Sequence, residues 1–379
     1  MGAEVQRRAH DRIVRLAGDR LDLVALSSRL SAVIAEVIPF TRTCWHTVDP
    51  GTVLFTGSVN NQISCSGSWL AEHEYVIDDV DRWWFLARSS RHVGATSIST
   101  HGELNRSARH RSREGMGTGD ELRVSLVQDG TYWGAAGFLR EEGQPWFTEQ
   151  DVRVLSTLAT GIAEALRRSM LASTSDDVMV GRAAGPGVVI FDEHGEAESI
   201  SPAAEAWISE MVEVPPPAQP AQSKVVQAVA ARARTLQPGQ DPLGLEARSR
   251  VRTRSGRWVL LYGTRLSGGG SGRTAVVLQP APAGVVAPLV ALAYGLSARE
   301  RDVTQLCMQG RPTREMARLL GVSPYTVQDH LKSIFAKTGV RTRGELVGQI
   351  FLEHYVPRWE VDEGAPSGWL AVTDGTNRP

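Results

Sequence analysis

The chain has 379 residues, of which 42% are hydrophobic and 22% are charged; this composition excludes a disordered chain and predicts two or three folded domains. Its 41 basic and 42 acidic residues give a formal net charge of −1, so any binding to nucleic acid must come from a local patch. Cys44, Cys65 and Cys307 form no C-x-x-C pair, which argues against a disulfide framework and a thiolate zinc site. Because the chain has no apolar run of 18 residues and no signal-peptide core, we expect a cytoplasmic protein with no membrane partner.

The first block, residues 20–175, has the pattern of a helix, antiparallel strands and a closing helix. Strand-like runs RTCWHTV and GTVLFTG are joined by Asp-Pro-Gly, and a hairpin is predicted around Asp129 and Gly130. Two helical stripes flank the strands: Leu23, Leu26, Leu30, Val33 and Val37, then Val152, Leu155, Ala159, Ile162 and Leu166. They can pair two chains or pack each helix on its own sheet.

The phrases GELNRSARHR, GDELRVSL and YWGAAGFLREEGQPWFTEQD make this block similar to the GAF-type sensor of actinobacterial transcription regulators. The resemblance covers about 130 residues and implies an α/β sensor and dimerisation domain.

Several aromatic and polar residues of the first block are candidates for a ligand pocket. Cys44 and His46 share one face of a predicted central strand. With Trp45 and Trp133 they are predicted to line an apolar pocket for a small-molecule effector, although simple packing is the alternative. No cofactor and no metal site are predicted. Three nearby acidic residues can form a metal or ligand rim, although solvated loop carboxylates are favoured: Asp78, Asp79 and Asp81.

The second block, residues 180–280, contains short strands around a capped helix. GPGVVIFDEHGEAESI reads as two strands and a turn, Ser201 as an N-cap, and ARSRVRTRSGRWVLLYGTRL as a hairpin. This order resembles a PAS domain, although the family usually has Asn where Ser201 stands. GGGSGRT fails the Walker pattern and predicts a flexible loop. Four arginines alternate along one strand and therefore share one face: Arg248, Arg250, Arg252 and Arg254. This face can bind phosphates or nucleic acid, although a solvated outer face is favoured.

The third block, residues 291–356, has the pattern of a helix-turn-helix between a predicted linker at 281–290 and a loose tail at 357–379. Ser297 with Glu300 forms a capping box for its first helix. TREMARLLG predicts a short helix ended by Gly321, and Ser323 with Pro324 begins a longer one. The fourth helix carries an apolar stripe that predicts self-association: Leu346, Val347, Ile350 and Phe351.

The longer helix of this block has two different faces. At 100° per residue, Val327, Leu331 and Ile334 lie on one side and point to the core. The opposite side carries a mixture of hydrogen-bond donors and acceptors: Tyr325, Gln328, Asp329 and Lys332. Base reading requires such a mixture, since a uniformly basic face would bind only phosphates.

The segment LSARERDV…GRPTREMARLLGVSPYTVQDHLKSIFAKTGVRTRGELV closely resembles the LuxR/NarL-type helix-turn-helix over about 60 residues. The resemblance places Gln328, Asp329 and Lys332 at positions that face bases or a groove. It places Thr326, His330 and Lys337 at or near backbone contacts. Two positions depart from the family: Gln328 is often Lys there, and the usual Ser cap of the scaffold helix is Pro312, so we expect Thr313 to cap instead.

Together these patterns predict an α+β multidomain protein with a GAF-like α/β sensor, a PAS-like α/β domain and an all-α helix-turn-helix. The predicted function is a dimeric DNA-binding transcription regulator controlled by a small-molecule or protein signal. Its expected partners are double-stranded DNA, a second copy, an effector and RNA polymerase. The alternative is a protein-interaction module whose helix-turn-helix docks another protein. No catalytic motif set is present, so we do not expect an enzyme.

Overall fold

A computed structural model of the chain describes residues 3–19, 21–63, 65–171, 185–236, 246–267, 272–355, 362–364 and 370–372. Two compact units are present: residues 1–255 with 259–280, and residues 281–379 with 256–258. Among the described residues, no helix is long and apolar enough to cross a membrane.

The first unit contains mixed helices and strands, as the α+β class predicted. Its helices are α1 Ala3–Gly18, α2 Leu23–Ala35, α3 Gly67–Ala71, α4 Trp83–Leu86, α5 Thr96–Ser99, α6 Ala108–Arg111, α7 Glu149–Ser169, α8 Pro202–Ser209 and α9 Lys224–Thr235. Its strands are β1 Arg42–Asp49, β2 Leu54–Asn61, β3 Val93–Ala95, β4 Thr118–Gln128, β5 Thr131–Glu141, β6 Gly187–Phe191, β7 Ala197–Ile200, β8 Glu213–Val214, β9 Arg248–Arg252, β10 Trp258–Arg265 and β11 Thr274–Pro280. A π-helical turn, Glu72–Val76, extends α3.

The strands form two sheets, with the orders β3-β4-β5-β1-β2-β8 and β7-β6-β11-β10-β9. The hairpin predicted around Asp129 and Gly130 is confirmed, and both turn residues have positive φ, 49° and 71°. This geometry twists the turn in the sense that the flanking strands need. The element order of helix, antiparallel sheet and closing helix agrees with the predicted GAF-like arrangement, and the two strands, capped helix and hairpin agree with the PAS-like one.

The first sheet packs one face against α1, α2 and α7. Both predicted helical stripes lie in this core, where Leu30 and Leu155 are fully buried. The stripes are therefore used inside one chain, because the sheet already covers them. Helix α1, which the sequence reasoning did not identify, also packs there through Ile13.

The other face of the first sheet shares a core with the second sheet. Phe55 of β2, Phe191 of β6 and Val229 of α9 belong to one cluster of buried residues. The strand β8, which comes from the second block, pairs in parallel with β2 and completes the first sheet. A division into domains at 20–175 and 180–280 therefore stays a prediction.

The second unit is helical where the structure describes its core. Its helices are α10 Ala283–Ala293, α11 Ala298–Met308, α12 Thr313–Leu320, α13 Pro324–Thr338 and α14 Arg343–Tyr355. The segment predicted as a linker, 281–290, begins α10 instead, with Pro288 inside the helix. Burial explains this difference, since Val286 and Leu289 are fully buried and a flexible linker would expose them.

Two sequence predictions fall largely outside the described residues. The loop GGGSGRT has four of its residues, 268–271, outside the described part. Within the predicted tail, the structure describes only β12 Asp362–Gly364 and β13 Leu370–Val372, which pair antiparallel.

Candidate nucleic-acid interface

Local capping residues set the start and end of the helices that form the helix-turn-helix. Ser297 accepts a hydrogen bond from the Glu300 amide at 3.3 Å, and the Glu300 carboxylate accepts one from the Ser297 amide at 2.6 Å, which confirms the capping box. Gly321 ends α12 with φ 66° and ψ 33°, a conformation that glycine adopts without strain. Ser323 then caps α13 by accepting from the Thr326 amide at 3.1 Å.

Helix α12 begins differently from the prediction. Its N-cap is Pro312, which makes no side-chain cap hydrogen bond. The hydroxyl of Thr313 instead accepts a hydrogen bond from the Arg343 guanidinium at 2.7 Å. The proposed Thr313 cap is therefore wrong, and this residue ties the start of α12 to the start of α14.

The two faces of α13 are divided as predicted. Val327 and Ile334 are fully buried and Leu331 is 6% exposed, so this side packs on α11 and α12. Gln328, Asp329 and Lys332 are exposed on the other side. Tyr325, at the start of the helix, is 80% exposed. The exposed side thus presents amide, carboxylate, ammonium and phenol groups to solvent.

Two of these exposed groups form an ion pair within the helix. The Lys332 ammonium lies 3.3 Å from the Asp329 carboxylate, and both side chains are more than 70% exposed. Pairs of this kind contribute about 0.3–0.5 kcal/mol in an isolated helix. DNA can therefore replace this pair at little cost.

Thr326 and His330, predicted to lie near the DNA backbone, are half-buried. The Thr326 hydroxyl lies 3.0 Å from the Ser323 hydroxyl at the N-terminus of α13. Backbone amides at a helix N-terminus favour phosphate, and Thr326 lies in this first turn, whereas His330 lies one turn further along α13.

Lys337, predicted to lie at or near a DNA backbone contact, forms an ion pair within the chain. Its ammonium donates to the Glu300 carboxylate at 2.7 Å, and its side chain is 39% exposed, against 5% for Glu300. Its charge is therefore largely neutralised by a buried partner on α11. Sequence reasoning missed this pair because the two residues are 37 positions apart.

Glu300 is the centre of the contact between α11 and α13. Besides its capping role, it accepts a hydrogen bond from the Ser333 hydroxyl at 2.6 Å. Burial opposes ionisation of this carboxyl, but hydrogen bonds from Lys337, Ser333 and Ser297 outweigh it and lower the pKa of Glu300 to about 2. The carboxylate therefore stays charged and holds α13 in place.

Two cations that the sequence reasoning did not select are exposed on α12. Arg314 and Arg318 are four residues apart, which places them on one side of the helix. Neither has an ion-pair partner among the described residues. By contrast, Arg311 lies 2.9 Å from Glu315. The signal for Arg314 and Arg318 was available, because helical spacing alone places both on the side opposite the buried Met316.

The apolar stripe of α14, predicted to drive self-association, is only partly described. Leu346 is fully buried in the core of its own unit, and Val347 is half-buried. The side chains of Ile350 and Phe351 lie outside the described residues. Self-association through this helix stays a prediction.

The four residues predicted to line a ligand pocket lie on two faces of the first sheet. Cys44 belongs to the core shared with the second sheet, and His46 contacts the same core. Trp45 lies on the opposite face, and its indole donates to the Ser31 hydroxyl at 2.9 Å. Trp133 is buried, and its indole nitrogen has no partner among the described residues. One pocket cannot contain all four, since neighbouring strand residues point to opposite faces.

His46 keeps the features of a candidate ligand residue. Its ring lies 4.7 Å from Phe55 and 4.9 Å from Trp83, and neither ring nitrogen has a partner within the described part of the chain. Burial lowers the pKa of His46 well below its usual range, and Lys224 and Arg123 act in the same direction. The ring is therefore neutral, with one donor and one acceptor available.

A buried charged network surrounds this aromatic group. Arg109 donates to Glu121 at 2.9 Å and to Asp79 at 3.2 Å. Arg123 donates to Glu74 at 3.0 Å and stacks 3.6 Å from the Trp83 ring. Asp79 is therefore a buried structural group rather than a solvated loop carboxylate, whereas Asp78 is 93% exposed.

The four predicted arginines bond to other protein groups rather than forming a free basic face. Arg248, Arg250 and Arg252 of β9 are half-buried, and Arg254, just beyond β9, is exposed. Arg250 forms an ion pair at 2.5 Å with Asp49, whose side chain is 1% exposed. Arg252 donates to the main-chain oxygen of Met170 at 2.9 Å. Arg248 pairs with Glu246 at 3.0 Å. Arg254 bonds to the main-chain oxygen of Ser209.

Known proteins resemble this chain mainly over the helix-turn-helix. The family model described as bacterial regulatory proteins, luxR family, matches residues 295–349. The spore germination protein GerE of Bacillus subtilis is 36% identical over 55 residues, which are 14% of this chain and 74% of that protein. The monoamine regulon transcriptional regulator of Klebsiella aerogenes is 40% identical over 57 residues, 15% of this chain and 25% of that protein.

Other relatives share a smaller part of their length. A putative HTH-type transcriptional regulator of Mycobacterium bovis is 43% identical over 54 residues, and the chain spans only 6% of that protein. Among solved structures, a bacteriophytochrome chromophore-binding domain from R. palustris is 16% identical, with a TM-score of 0.24 over 42% of this chain and 59% of that one. The photosensory core module of a Stigmatella aurantiaca phytochrome is 14% identical, with a TM-score of 0.27 over 53% and 50%.

The match to GerE covers most of that protein, and the structure places the matched segment in a capped helix-turn-helix with an exposed polar face. This chain belongs to the luxR family of bacterial regulatory proteins.

Proposed function

We propose that this protein is a transcription regulator that binds duplex DNA by placing α13 in the major groove. The observation that carries this proposal is the division of α13, with an apolar side docked on its own core and a mixed polar side exposed. The major groove is about 12 Å wide and admits such a helix. Two of the relatives, a putative HTH-type transcriptional regulator and the monoamine regulon transcriptional regulator, support the same function by their names.

Each exposed group on α13 fits a different part of the DNA. Gln328 can form two hydrogen bonds with adenine, and Asp329 can accept one from cytosine N4. Lys332 favours guanine acceptors or phosphate once it leaves Asp329. Thr326 and His330 lie beside the reading side and favour the backbone. We also propose that Arg314 and Arg318 contact phosphates, because both are exposed cations without ion-pair partners among the described residues.

The experiment begins by selecting bound sequences from a random duplex library with the full chain. Lys332→Ala and Gln328→Ala should each weaken binding to the selected site by about 1–3 kcal/mol. The matched control is Arg299→Ala, which removes an exposed cation of α11 paired with Asp302 at 3.6 Å. If Lys332→Ala binds the selected site as tightly as the wild type, the assignment of α13 as the reading helix is wrong.

The dependence of binding on salt concentration distinguishes DNA binding from a protein-docking role of the helix-turn-helix. Binding to DNA releases counterions, so log K should fall linearly with log salt, with a slope of about −0.9 for each neutralised phosphate. If the full chain shows no salt-dependent binding to any duplex, the docking role is favoured instead.

We further propose that the protein acts as a homodimer. A single α13 offers few base contacts, and two-fold pairing would place two reading helices on half-sites about 34 Å apart. The helical stripes of the first unit do not support this pairing, because they are buried within one chain. Light scattering of the full chain at tens of micromolar tests the dimer, and a strict monomer that protects a single half-site contradicts it.

We also propose that a small effector controls DNA binding through residues 20–280. The ring nitrogens of His46, which have no partner among the described residues and lie close to the rings of Phe55 and Trp83, support a ligand at this place. Coupling between effector and DNA must be reciprocal, so an effector that raises DNA affinity binds more tightly when the selected site is present. Equal affinity with and without DNA would reject control by that effector. We also propose that the protein contacts RNA polymerase and is located in the cytoplasm.

A further inference from the structure

The exposed side of α13 carries one aromatic ring to which the proposed function gives no role. Tyr325 is 80% exposed, which makes it the most exposed large apolar side chain of the described residues, ahead of Met116 at 61%. Within the described part of the chain it forms no hydrogen bond and no ring contact. Single exposed apolar residues are common on protein surfaces, so the position of Tyr325 on the helix must decide what it does.

The ring of Tyr325 starts from the middle of the exposed polar side. At 3.6 residues per turn, Tyr325 lies about 20° from Lys332 and about 40° from Asp329 around the helix axis. Gln328 lies about 60° away in the other direction. By contrast Thr326, the next residue in the chain, lies about 100° away at the edge of this side. Tyr325 therefore belongs to the group of side chains that would face the bases.

The position of Tyr325 along the helix also favours a base contact. It is the second residue of α13, which spans Pro324–Thr338, and residues near the N-terminus of a recognition helix are the ones that contact base edges. Lys332 is seven residues further on, which is about 10 Å at 1.5 Å per residue. This distance equals roughly three base-pair steps of about 3.4 Å. Tyr325 and Lys332 can therefore contact different base pairs of one site.

The chemistry of the major groove offers one apolar group to such a ring. The base edges present hydrogen-bond donors and acceptors at every pair, and thymine adds a C5-methyl group. Gln328, Asp329 and Lys332 match the polar groups, but none of them supplies an apolar surface. A tyrosine hydroxyl can also bind a phosphate, but phosphates lie beyond the edges of the reading side, and Tyr325 lies at its centre.

We propose that Tyr325 contributes to sequence preference by packing its ring on the C5-methyl group of a thymine. This inference rests on the proposed function, in which α13 lies in the major groove, and it names a base that this helix selects. The ring removes water from the methyl group, which favours binding. Cytosine has no methyl group at this position, so the same ring gains less apolar contact there.

The experiment uses the duplex that the full chain selects from a random library. Each thymine of that duplex is replaced in turn by deoxyuridine, which removes only the C5-methyl group. One thymine in each half-site should be sensitive, and its replacement should weaken binding of the wild type about fourfold, the factor expected for one buried methyl group. Replacement of the other thymines should change the affinity by less than about twofold.

Three variants show whether Tyr325 makes this contact. Tyr325→Ala should bind the selected duplex at least fourfold more weakly than the wild type and should no longer distinguish thymine from deoxyuridine. Tyr325→Phe keeps the ring, so it should keep the wild-type affinity and the preference for thymine. Tyr262→Ala is the matched control, because it removes a tyrosine of β10 that is 50% exposed, and it should behave as the wild type.

The outcomes that overturn this proposal are distinct from those that overturn DNA binding itself. The proposal is wrong if the selected duplex has no methyl-sensitive thymine, or if Tyr325→Ala still prefers thymine over deoxyuridine. It is also wrong if Tyr325→Phe loses as much affinity as Tyr325→Ala, because the hydroxyl would then be the contact group. If Lys332→Ala weakens binding in any of these cases, α13 remains the reading helix. Absence of binding to every duplex overturns both proposals.

Discussion

The carboxylate of Glu300 offers a quantitative test of how the helix-turn-helix is held together. The substitution Glu300→Gln keeps one acceptor oxygen, enough for either the Ser297 amide or the Ser333 hydroxyl, and removes the charge that pairs with Lys337. The pKa of Glu300 falls from 4.5 to about 2 in the folded chain. A difference of about 2.5 in pKa corresponds to about 3.4 kcal/mol. Because the Lys337 side chain is 39% exposed, solvent screening reduces the expected loss to about 1–2 kcal/mol.

The sign of the pH dependence follows from the direction of this shift. A carboxyl whose pKa is lowered by folding stabilises the fold above its unfolded pKa. The contribution of Glu300 is therefore complete near neutral pH and is lost as the pH falls from 4.5 towards 2. The difference between wild type and Glu300→Gln should shrink by roughly half by about pH 3.

Hydrogen exchange of the full chain measures how much Glu300 contributes to the stability of α11 and α13. Amides of α11 and α13 should lose roughly 5- to 30-fold in protection near pH 7, the equivalent of about 1–2 kcal/mol. Glu315→Gln is the matched control, because it removes the half-buried partner of the exposed Arg311 and should cost less than about 0.5 kcal/mol. If Glu300→Gln changes protection no more than the control, the pair with Lys337 does not stabilise this unit.

Three further substitutions test other contacts. Arg250→Ala should destabilise the first unit by about 3–5 kcal/mol in urea unfolding, because it leaves buried Asp49 unpaired, whereas Arg248→Ala should cost under about 1 kcal/mol. Leu30→Ala should cost about 2–5 kcal/mol in the same assay, since Leu30 is fully buried beneath the first sheet. Lys337→Ala should lower thermal stability and change the salt slope of DNA binding by under about 0.3, because its ammonium is already paired.

Features governed by a few neighbouring residues could be predicted from the sequence. The capping box at Ser297, the left-handed Gly321 and the cap at Ser323 each depend on contacts within about four residues. The two-sided nature of α13 follows from helical periodicity alone. The same periodicity is enough to place Gln328 and Lys332 on the exposed side of this helix.

Features that depend on distant partners could not be predicted. Lys337 lies on a surface that looks available for DNA, and only the folded chain shows Glu300 next to it. Helix α10 was predicted as a linker because of its prolines, but burial of Val286 and Leu289 outweighs the hydrogen bond that Pro288 cannot form. Helix α1 was missed because alanines fill two of its three buried positions, which makes its periodicity weak: Ala9, Ile13 and Ala17.

The strand β9 shows most directly what sequence periodicity cannot predict. Alternation places its arginines on one face, but it does not say whether another layer covers that face. Asp49 lies 201 positions before Arg250, and its buried carboxylate makes this guanidinium a bridge between the two sheets. Arg252 binds the main-chain oxygen of Met170, just after α7, where a cation is favoured by the helix dipole. Any displacement of the end of α7 must therefore break this bond or move β9 with it, so the second sheet is mechanically tied to the helix that closes the first.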